Sequence, residues 1–301
     1  MEKLSAAVVM AAGKSTRTYP LTLDIPKGLL RIANKPILEL TFDALAPFVE
    51  KFVVVVGFKK EMIEAHFGKE YKGLPIEYVV QDTNKFPGTG GAMMACKPHL
   101  SGEFMVIYGD DLYGPESVKA VAEGGICMLA KRVPDPEKFG VLTLDENGNV
   151  IGVVEKPKEF VGDLIAPGCY HFDMDIYATE PPLSPRGEYE LTDMYGALGR
   201  MKPLRAVEVK DYWRPIGYPW DVLNNNLWAL DEANGGENVI GNNAVVAPDA
   251  QVFRSVIEDG AEVAAGAFIR DSVIMAGMAV KAGQRIERAI MSSKCVISQA
   301  A

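Results

Sequence analysis

Apolar residues follow two different rhythms along this chain. In the first part they form short unbroken runs, separated by segments of helical spacing. Ala6-Ala7-Val8-Val9-Met10, Phe52 to Val56 and Phe104 to Tyr108 each read as a buried strand from their unbroken apolar runs, and Ile76 to Val80 reads as another despite Glu77. Pro36 opens a helix with Ile37, Leu40, Ala44 and Leu45 on one face. Gly90 to Lys97 reads as a further helix ending before Pro98. Buried strands alternating with helices predict a mostly parallel sheet covered on both faces. Ligands then sit beyond the carboxyl ends of the strands, where the loops after Met10, Val80 and Tyr108 should converge. From Gly140 the pattern becomes a hairpin: Gly140 to Leu144, a turn at Asp145-Glu146-Asn147-Gly148, then Val150 to Val154. It is expected to extend the sheet in antiparallel fashion over the site.

The second rhythm is a 17-residue repeat in the tail. Ile240, Ile257, Ile274 and Met291 form one column; Val246, Val263, Val280 and Ile297 a second; Val252, Ile269 and Ile286 a third. Small residues such as Gly260-Ala261 and Gly266-Ala267 fill the spaces between columns. Three columns about six residues apart describe a small left-handed parallel β-helix of triangular section. With so few coils, its open end should be capped by another subunit. Asn234-Gly235-Gly236 is a candidate linker, giving expected domains 1–233 and 237–301.

Composition narrows the chemistry. The 301 residues are 48% hydrophobic and 24% charged, as in ordinary globular proteins. The net charge of −9 argues against a nucleic-acid partner, so positive charge for phosphate must be local. No apolar run approaches the roughly 18 residues of a bilayer span, and no membrane association or signal peptide is expected. Cys96, Cys127, Cys169 and Cys295 are scattered without metal or disulfide spacing, which fits a cytoplasmic location.

The densest candidate chemistry is Ala11-Ala12-Gly13-Lys14-Ser15-Thr16-Arg17, followed by Pro26-Lys27. Small residues leaving a strand let backbone N–H groups face a phosphate, and Arg17 and Lys27 add two cations. Gly13-Lys14-Ser15 is not a P-loop, because Val8 stands where that motif needs glycine. Gly88 and Gly90 likewise lack the third glycine of a dinucleotide fingerprint, Met93 standing in its place.

These segments, with Gln81, Gly88-Thr89-Gly90, Tyr108-Gly109-Asp110, Phe139-Gly140-Val141, Glu155-Lys156-Pro157 and Gly187-Glu188-Tyr189-Glu190-Leu191-Thr192-Asp193, resemble the sugar-1-phosphate nucleotidylyltransferases in order and over nearly the whole chain. The resemblance implies an α/β, Rossmann-like mixed sheet with helices on both faces, and several members of that family carry a β-helix tail. It implies that Arg17 and Lys27 are catalytic. Ala11, Ala12, Gly13, Gln81, Gly88 and Thr89 would bind nucleotide. Tyr108, Gly140, Glu155, Lys156 and Gly168 would bind the sugar phosphate, and Asp110 would bind Mg²⁺. Asp111 reads as a supporting residue or a cap.

The implied chemistry is consistent with what the motifs omit. A sugar-phosphate oxygen is already ionised at neutral pH, so the transfer needs cations and orientation rather than a histidine or serine nucleophile. His66, His99 and His171 all lie outside the motifs. Two positions depart from the family. Pro215 stands in Trp213-Arg214-Pro215-Ile216-Gly217 where an aspartate ligand is common, leaving Asp211 or Asp221 as substitutes, or phosphate oxygens and water. Ala166 stands where many relatives have asparagine. The expected substrates are UTP and N-acetylglucosamine-1-phosphate or glucose-1-phosphate. The alternatives are dTTP with glucose-1-phosphate, GTP with mannose-1-phosphate, or a catalytically silent subunit of the same fold. No histidine follows His171, so the tail is expected to support packing or a homo-oligomer, not acetyl transfer.

Overall fold

The computed structural model describes residues 2–298, except the side chain of Asn234. Its packing divides into two compact units. One takes the chain up to Gly13 together with Leu40–Trp213; the other takes Lys14–Glu39 and the chain from Arg214 onward. The division cuts across the composition boundary at 233–237, because the segment after Gly13 packs with the tail.

An eleven-stranded mixed sheet forms the first unit. From one edge the strands are Val150–Glu155, Gly140–Leu144, Leu164–Ile165, Cys127–Arg132, Cys169–Asp173, Glu103–Tyr108, Ala7–Ala11, Phe52–Val56, Leu74–Val80 and Glu70–Tyr71, with Arg205–Glu208 beside Cys127–Arg132. Ala7–Ala11 pairs in parallel with Phe52–Val56 and Glu103–Tyr108, and Phe52–Val56 in parallel with Leu74–Val80. Val8, Val9, Val53 and Val54 have no solvent exposure, which explains why these runs carry no polar residue. Cys169–Asp173 is antiparallel to both of its neighbours. The predicted hairpin forms, with Gly140 opposite Glu155. No helix among the described residues is long and apolar enough to cross a membrane.

The strand Leu74–Val80, next to the sheet edge, buries only Ile76 and Val79 and leaves Val80 54% exposed, rather than being buried throughout. Three further predicted details differ. The helix Ile37–Leu45 buries Ile37, Leu38, Thr41, Phe42 and Leu45, whereas the expected Leu40 and Ala44 are only half-buried. Phe42 sets this face, because its ring centroid packs 4.5 Å from that of Phe52 and 4.9 Å from that of Phe67. The second predicted helix spans Gly88–Cys96 rather than Gly90 to Lys97. Hydrogen bonds from Tyr189 N–H to Pro87 and from Gly90 N–H to Tyr189 anchor its start, and a 3-10 turn at Lys97–His99 takes over at its end.

In the second unit the repeat makes a parallel β-helix. Ile240 pairs with Ile257 and Ile257 with Ile274, Val246 with Val263 and Val263 with Val280, and Val252 with Ile269 and Ile269 with Ile286. Each register step is one 17-residue period. The inward residues Ile257, Ile269, Ile274 and Val280 are buried. The third difference lies here. Ile297 does not extend the second column. After Met291 the chain turns at Ser292–Cys295, and Val296–Ser298 runs antiparallel along Ala289–Met291, with Ile297 opposite Ile290. A hairpin satisfies the backbone of the last strand without a further coil.

Candidate functional site

Parallel pairing brings the carboxyl ends of four strands to one edge of the sheet in the first unit. Backbone hydrogen bonds lock the segments leaving that edge: Gln81 N–H to Val56, Gly109 N–H to Met10 and Phe58 N–H to Ala12. Ala11 to Gly13, Gln81 and Asp110 therefore lie where the strand pattern places a ligand. Ala11 and Ala12 are half-buried and Gly13 is exposed.

Gln81 does something its sequence reading did not foresee. Its side-chain nitrogen donates to Phe86 O at 2.9 Å and to Gly88 O at 2.8 Å. Both donors are committed to the loop in front of Gly88. The side chain thus offers an approaching base an acceptor only. Gly88 itself has φ +83°, and a Cβ there would stand 2.4 Å from Tyr189 O, so only glycine fits. Thr89 Oγ1 accepts from Leu191 N–H at 3.1 Å, tying this segment to the start of the helix Leu191–Met201.

Tyr108 is the meeting point of the expected sugar-phosphate residues. Its N–H donates to Gly168 O at 2.9 Å. A Cβ on Gly168 would stand 2.3 Å from the Tyr108 ring, and Gly168 has φ +102°. Burial pushes the Tyr108 hydroxyl up to about 12, and the nearby Glu155 and Asp110 carboxylates add to this. Asp110 and Glu155 thus lie within electrostatic reach of the Tyr108 hydroxyl. The Tyr170 ring packs edge-on against the Tyr108 ring, with centroids 6.1 Å apart.

The hairpin carries the rest. Glu155 Oε1 lies 3.3 Å from Lys156 Nζ and 3.4 Å from an Arg186 guanidinium nitrogen. Arg186 also pairs with Glu190 at 2.6 Å. Burial works against the Arg186 charge, but the pairing carboxylates outweigh it and raise its affinity for the proton. A Cβ on Gly140 would sit 3.0 Å from the Tyr195 hydroxyl and 3.2 Å from Glu155. Tyr195 OH and Thr192 Oγ1 are buried with no hydrogen-bond partner among the described residues. Buried hydroxyls rarely stay unsatisfied, so these two, beside Gly140 and Glu155, are open to water or to a polar ligand. The motif containing Thr192 was visible in the sequence; nothing there singled out Tyr195 or Arg186.

Both candidate substitutes for the aspartate missing at Pro215 serve as helix caps. Asp211 accepts from Glu116 N–H at 2.9 Å, Ser117 N–H at 3.2 Å and the Ser117 hydroxyl, at the start of the helix Pro115–Ala122. Burial would raise its carboxyl, but these donors outweigh it and hold it below the usual range. Asp221 Oδ2 accepts from Gly217 N–H and Tyr218 N–H, both at 2.8 Å, at the start of the helix Pro219–Asn234. Asp111 accepts from Trp213 Nε1 at 3.1 Å, which matches a supporting role. Among the described residues no cluster of three metal-ligating side chains occurs. Asp110, half-buried at a strand end, fits Mg²⁺, which commonly takes one or two carboxylates and completes its shell with water and substrate phosphates.

Arg17 and Lys27 belong to the second unit. Arg17 is exposed, with its guanidinium 5.8 Å from the Tyr218 ring centroid. Lys27 begins the 3-10 turn Lys27–Leu29 and is only 7% exposed.

Comparison with known proteins decides the family. The Nucleotidyl transferase family model matches residues 6–232. The chain belongs to this family. A second model, the GlmU-like C-terminal hexapeptide, matches residues 231–301. This nucleotidyl transferase is 37% identical over 230 residues to the Bifunctional protein GlmU of Methanococcus maripaludis, covering 75% of this chain and 54% of that protein. It thus spans about half the length of those relatives. It is also 37% identical over 227 residues to UTP--glucose-1-phosphate uridylyltransferase AglF of Haloferax volcanii, covering 71% of this chain and 92% of that protein. A crystal structure of UDP-glucose pyrophosphorylase complexed with UDP-glucose shares the fold, with TM-score 0.69, 22% identity, and coverage of 76% of this chain and 99% of that one.

Proposed function

We infer that this protein transfers a nucleotidyl group from a nucleoside triphosphate to a sugar-1-phosphate, giving a nucleotide sugar and pyrophosphate. The observation that carries the reading is the placement of Ala11 to Gly13, Gln81 and Asp110 just beyond the carboxyl ends of neighbouring parallel strands, in a chain of the Nucleotidyl transferase family. UTP is the proposed nucleotide, with glucose-1-phosphate or N-acetylglucosamine-1-phosphate as the sugar. The similarity to AglF, named for UTP and glucose-1-phosphate, supports the nucleotide.

In the proposed reaction a sugar-phosphate oxygen attacks the α-phosphorus. The bond to the oxygen bridging the α- and β-phosphorus breaks, and pyrophosphate leaves with that electron pair. Ala11, Ala12 and Gly13 offer backbone N–H groups to the nucleotide, and the Gln81 acceptor and the Gly88–Thr89 segment receive its base. Glu155 accepts from sugar hydroxyls, Lys156 meets the sugar phosphate, and Tyr108, Gly140 and Gly168 shape the pocket wall. Arg17 and Lys27 neutralise the triphosphate and the charge growing on the transferring phosphorus. Asp110 would hold Mg²⁺, whose chemistry there is to neutralise and orient phosphate oxygens. We assign 1–233 to this reaction and 237–301 to packing in a homo-oligomer. The cytoplasm is the proposed setting. Pyrophosphate release from a nucleoside triphosphate and a sugar-1-phosphate in the presence of Mg²⁺ is the test.

A further inference from the structure

The segment that carries Lys27 has little structure of its own. Between Leu23 and Ile37 it comprises one 3-10 turn, Lys27–Leu29, and a two-residue hairpin that pairs Arg31–Ile32 with Lys35–Pro36. The turn has no side-chain cap. Its backbone bonds are Leu29 N–H to Pro26 at 2.9 Å and Leu30 N–H to Lys27 at 2.9 Å. Two such hydrogen bonds hold a short turn only weakly, so the place of the segment depends on what packs against it.

Both ends of this segment are gripped by the β-helix of the same unit. On the near side, Asp24 pairs with Lys294 Nζ at 2.8 Å and accepts from the Ser293 hydroxyl at 3.3 Å. On the far side, Arg31 pairs with Asp259, and Asn34 Nδ2 donates to Ile257 O at 3.2 Å. Asp259 also accepts from Asn242 N–H at 2.7 Å, so the carboxylate that holds Arg31 is itself fixed between two coils. Asn226 of the helix Pro219–Asn234 adds a third hold, accepting from Ala33 N–H at 2.8 Å and donating to Arg31 O at 3.0 Å.

This arrangement gives a reason for the break in the repeat. Had the chain continued the 17-residue pattern, Ile297 would have joined the second column. Instead the chain reverses after Met291, and Ser293 and Lys294 form the tip of that reversal. The tip is the part of the tail that reaches Asp24. The last strand thus gives up a coil and gains a contact with the segment that carries Lys27.

We propose that the β-helix is a clasp on residues 24–34, and that Lys294 and Asp259 are positioning residues for Lys27. The proposal rests on the reading of Lys27 as a phosphate-binding cation. It gives the tail a part in the reaction that requires no chemistry of its own. A single exposed ion pair contributes little to global stability. Grips on both sides of a three-residue turn, however, restrict where its lysine can stand, and small misplacements at a reacting centre are costly in rate.

A charge-swap set on the full chain tests this: Lys294→Glu, Asp24→Lys and the double variant, with Asp259→Asn as a fourth. Two readouts are followed. Hydrogen–deuterium exchange reports the amides of residues 27–34 without reference to activity, and steady-state pyrophosphate release separates kcat from KM. The expected result is faster exchange confined to residues 27–34 in each single variant. The kcat should fall roughly tenfold, with KM for either substrate within about twofold of the parent. The double variant should recover both readouts. Unchanged exchange and kcat in the single variants, or a double variant no better than either single, would overturn the clasp. If the parent protein releases no pyrophosphate with any substrate pair, the functional reading fails on its own, and the exchange data still decide the clasp.

Discussion

The Glu258 carboxylate accepts a hydrogen bond from Ala276 N–H at 3.0 Å inside the β-helix, where Glu258 is only 3% exposed. Burial raises its pKa to about 7; the Ala276 N–H and Arg31 oppose the rise, and Asp259 adds to it. In the unfolded chain this carboxyl would titrate near 4.5. Between those two values the folded protein holds a proton that the unfolded chain has lost. Stability contributed by this group is therefore present at low pH and lost as pH rises toward 7. Glu258→Gln should raise stability at pH 8, by up to about 3 kcal/mol, with the gain vanishing as the pH falls to about 4.5. Thermal unfolding across that range checks this. An equal gain at every pH would show that ionisation of Glu258 is not the cause.

Two aspartates should respond in opposite ways. Asp110→Ala should lower pyrophosphate release by roughly a hundredfold or more while leaving the melting temperature nearly unchanged. Asp211→Ala removes the acceptor for Glu116 N–H and Ser117 N–H, so it should cost about 1 kcal/mol of stability and keep kcat within about twofold. Calorimetry and a turnover assay on both variants separate ligand from cap. Loss of turnover in Asp211→Ala at intact stability would make Asp211 the substitute for the aspartate missing at Pro215.

Removing the Tyr195 hydroxyl breaks no hydrogen bond among the described residues. Tyr195→Phe should therefore leave stability unchanged or slightly higher, since no buried partner is orphaned. If the hydroxyl faces the sugar phosphate, KM for that substrate should rise several-fold while KM for the nucleotide stays put. A melting temperature lowered by several degrees would mean that the hydroxyl serves the fold instead.

Much of this was legible in the sequence, and the reasons are physical. Central strands of a sheet covered on both faces must be apolar throughout, so Phe52 to Val56 could be read by eye. A β-helix coil must return to the same column, so the 17-residue period specified the pairing of Ile240, Ile257 and Ile274 before any coordinates. The face of the helix Ile37–Leu45 was misread because it depends on Phe42 meeting Phe52, a contact local periodicity does not contain. Ile297 was misread because the repeat stops after Met291, where the chain turns back along Ala289–Met291 and the period no longer applies. In the site, the family resemblance names Asp110, Glu155 and Gly168 as candidates. What Gln81, Asp211 and Asp221 do with their hydrogen-bonding groups depends on backbone N–H and C=O groups brought up by other segments, and no motif records those.

Gly168→Ala tests how tightly the wall of the site is built. The added methyl would stand 2.3 Å from the Tyr108 ring at φ +102°. The variant should lose more than about 2 kcal/mol of stability and also bind sugar phosphate more weakly, because Tyr108 must move. A variant as stable and active as the parent would show that Tyr108 has room to shift, and would remove it from the rigid part of the site.

The most direct test of the central claim is pyrophosphate release in the presence of Mg²⁺, with UTP, dTTP, GTP, ATP and CTP each crossed against glucose-1-phosphate, N-acetylglucosamine-1-phosphate and mannose-1-phosphate. The account predicts strong release with UTP and glucose-1-phosphate or N-acetylglucosamine-1-phosphate, abolished in Asp110→Ala. Folded protein that binds a nucleotide sugar yet releases no pyrophosphate with any pair would contradict it and identify a catalytically silent member of the family.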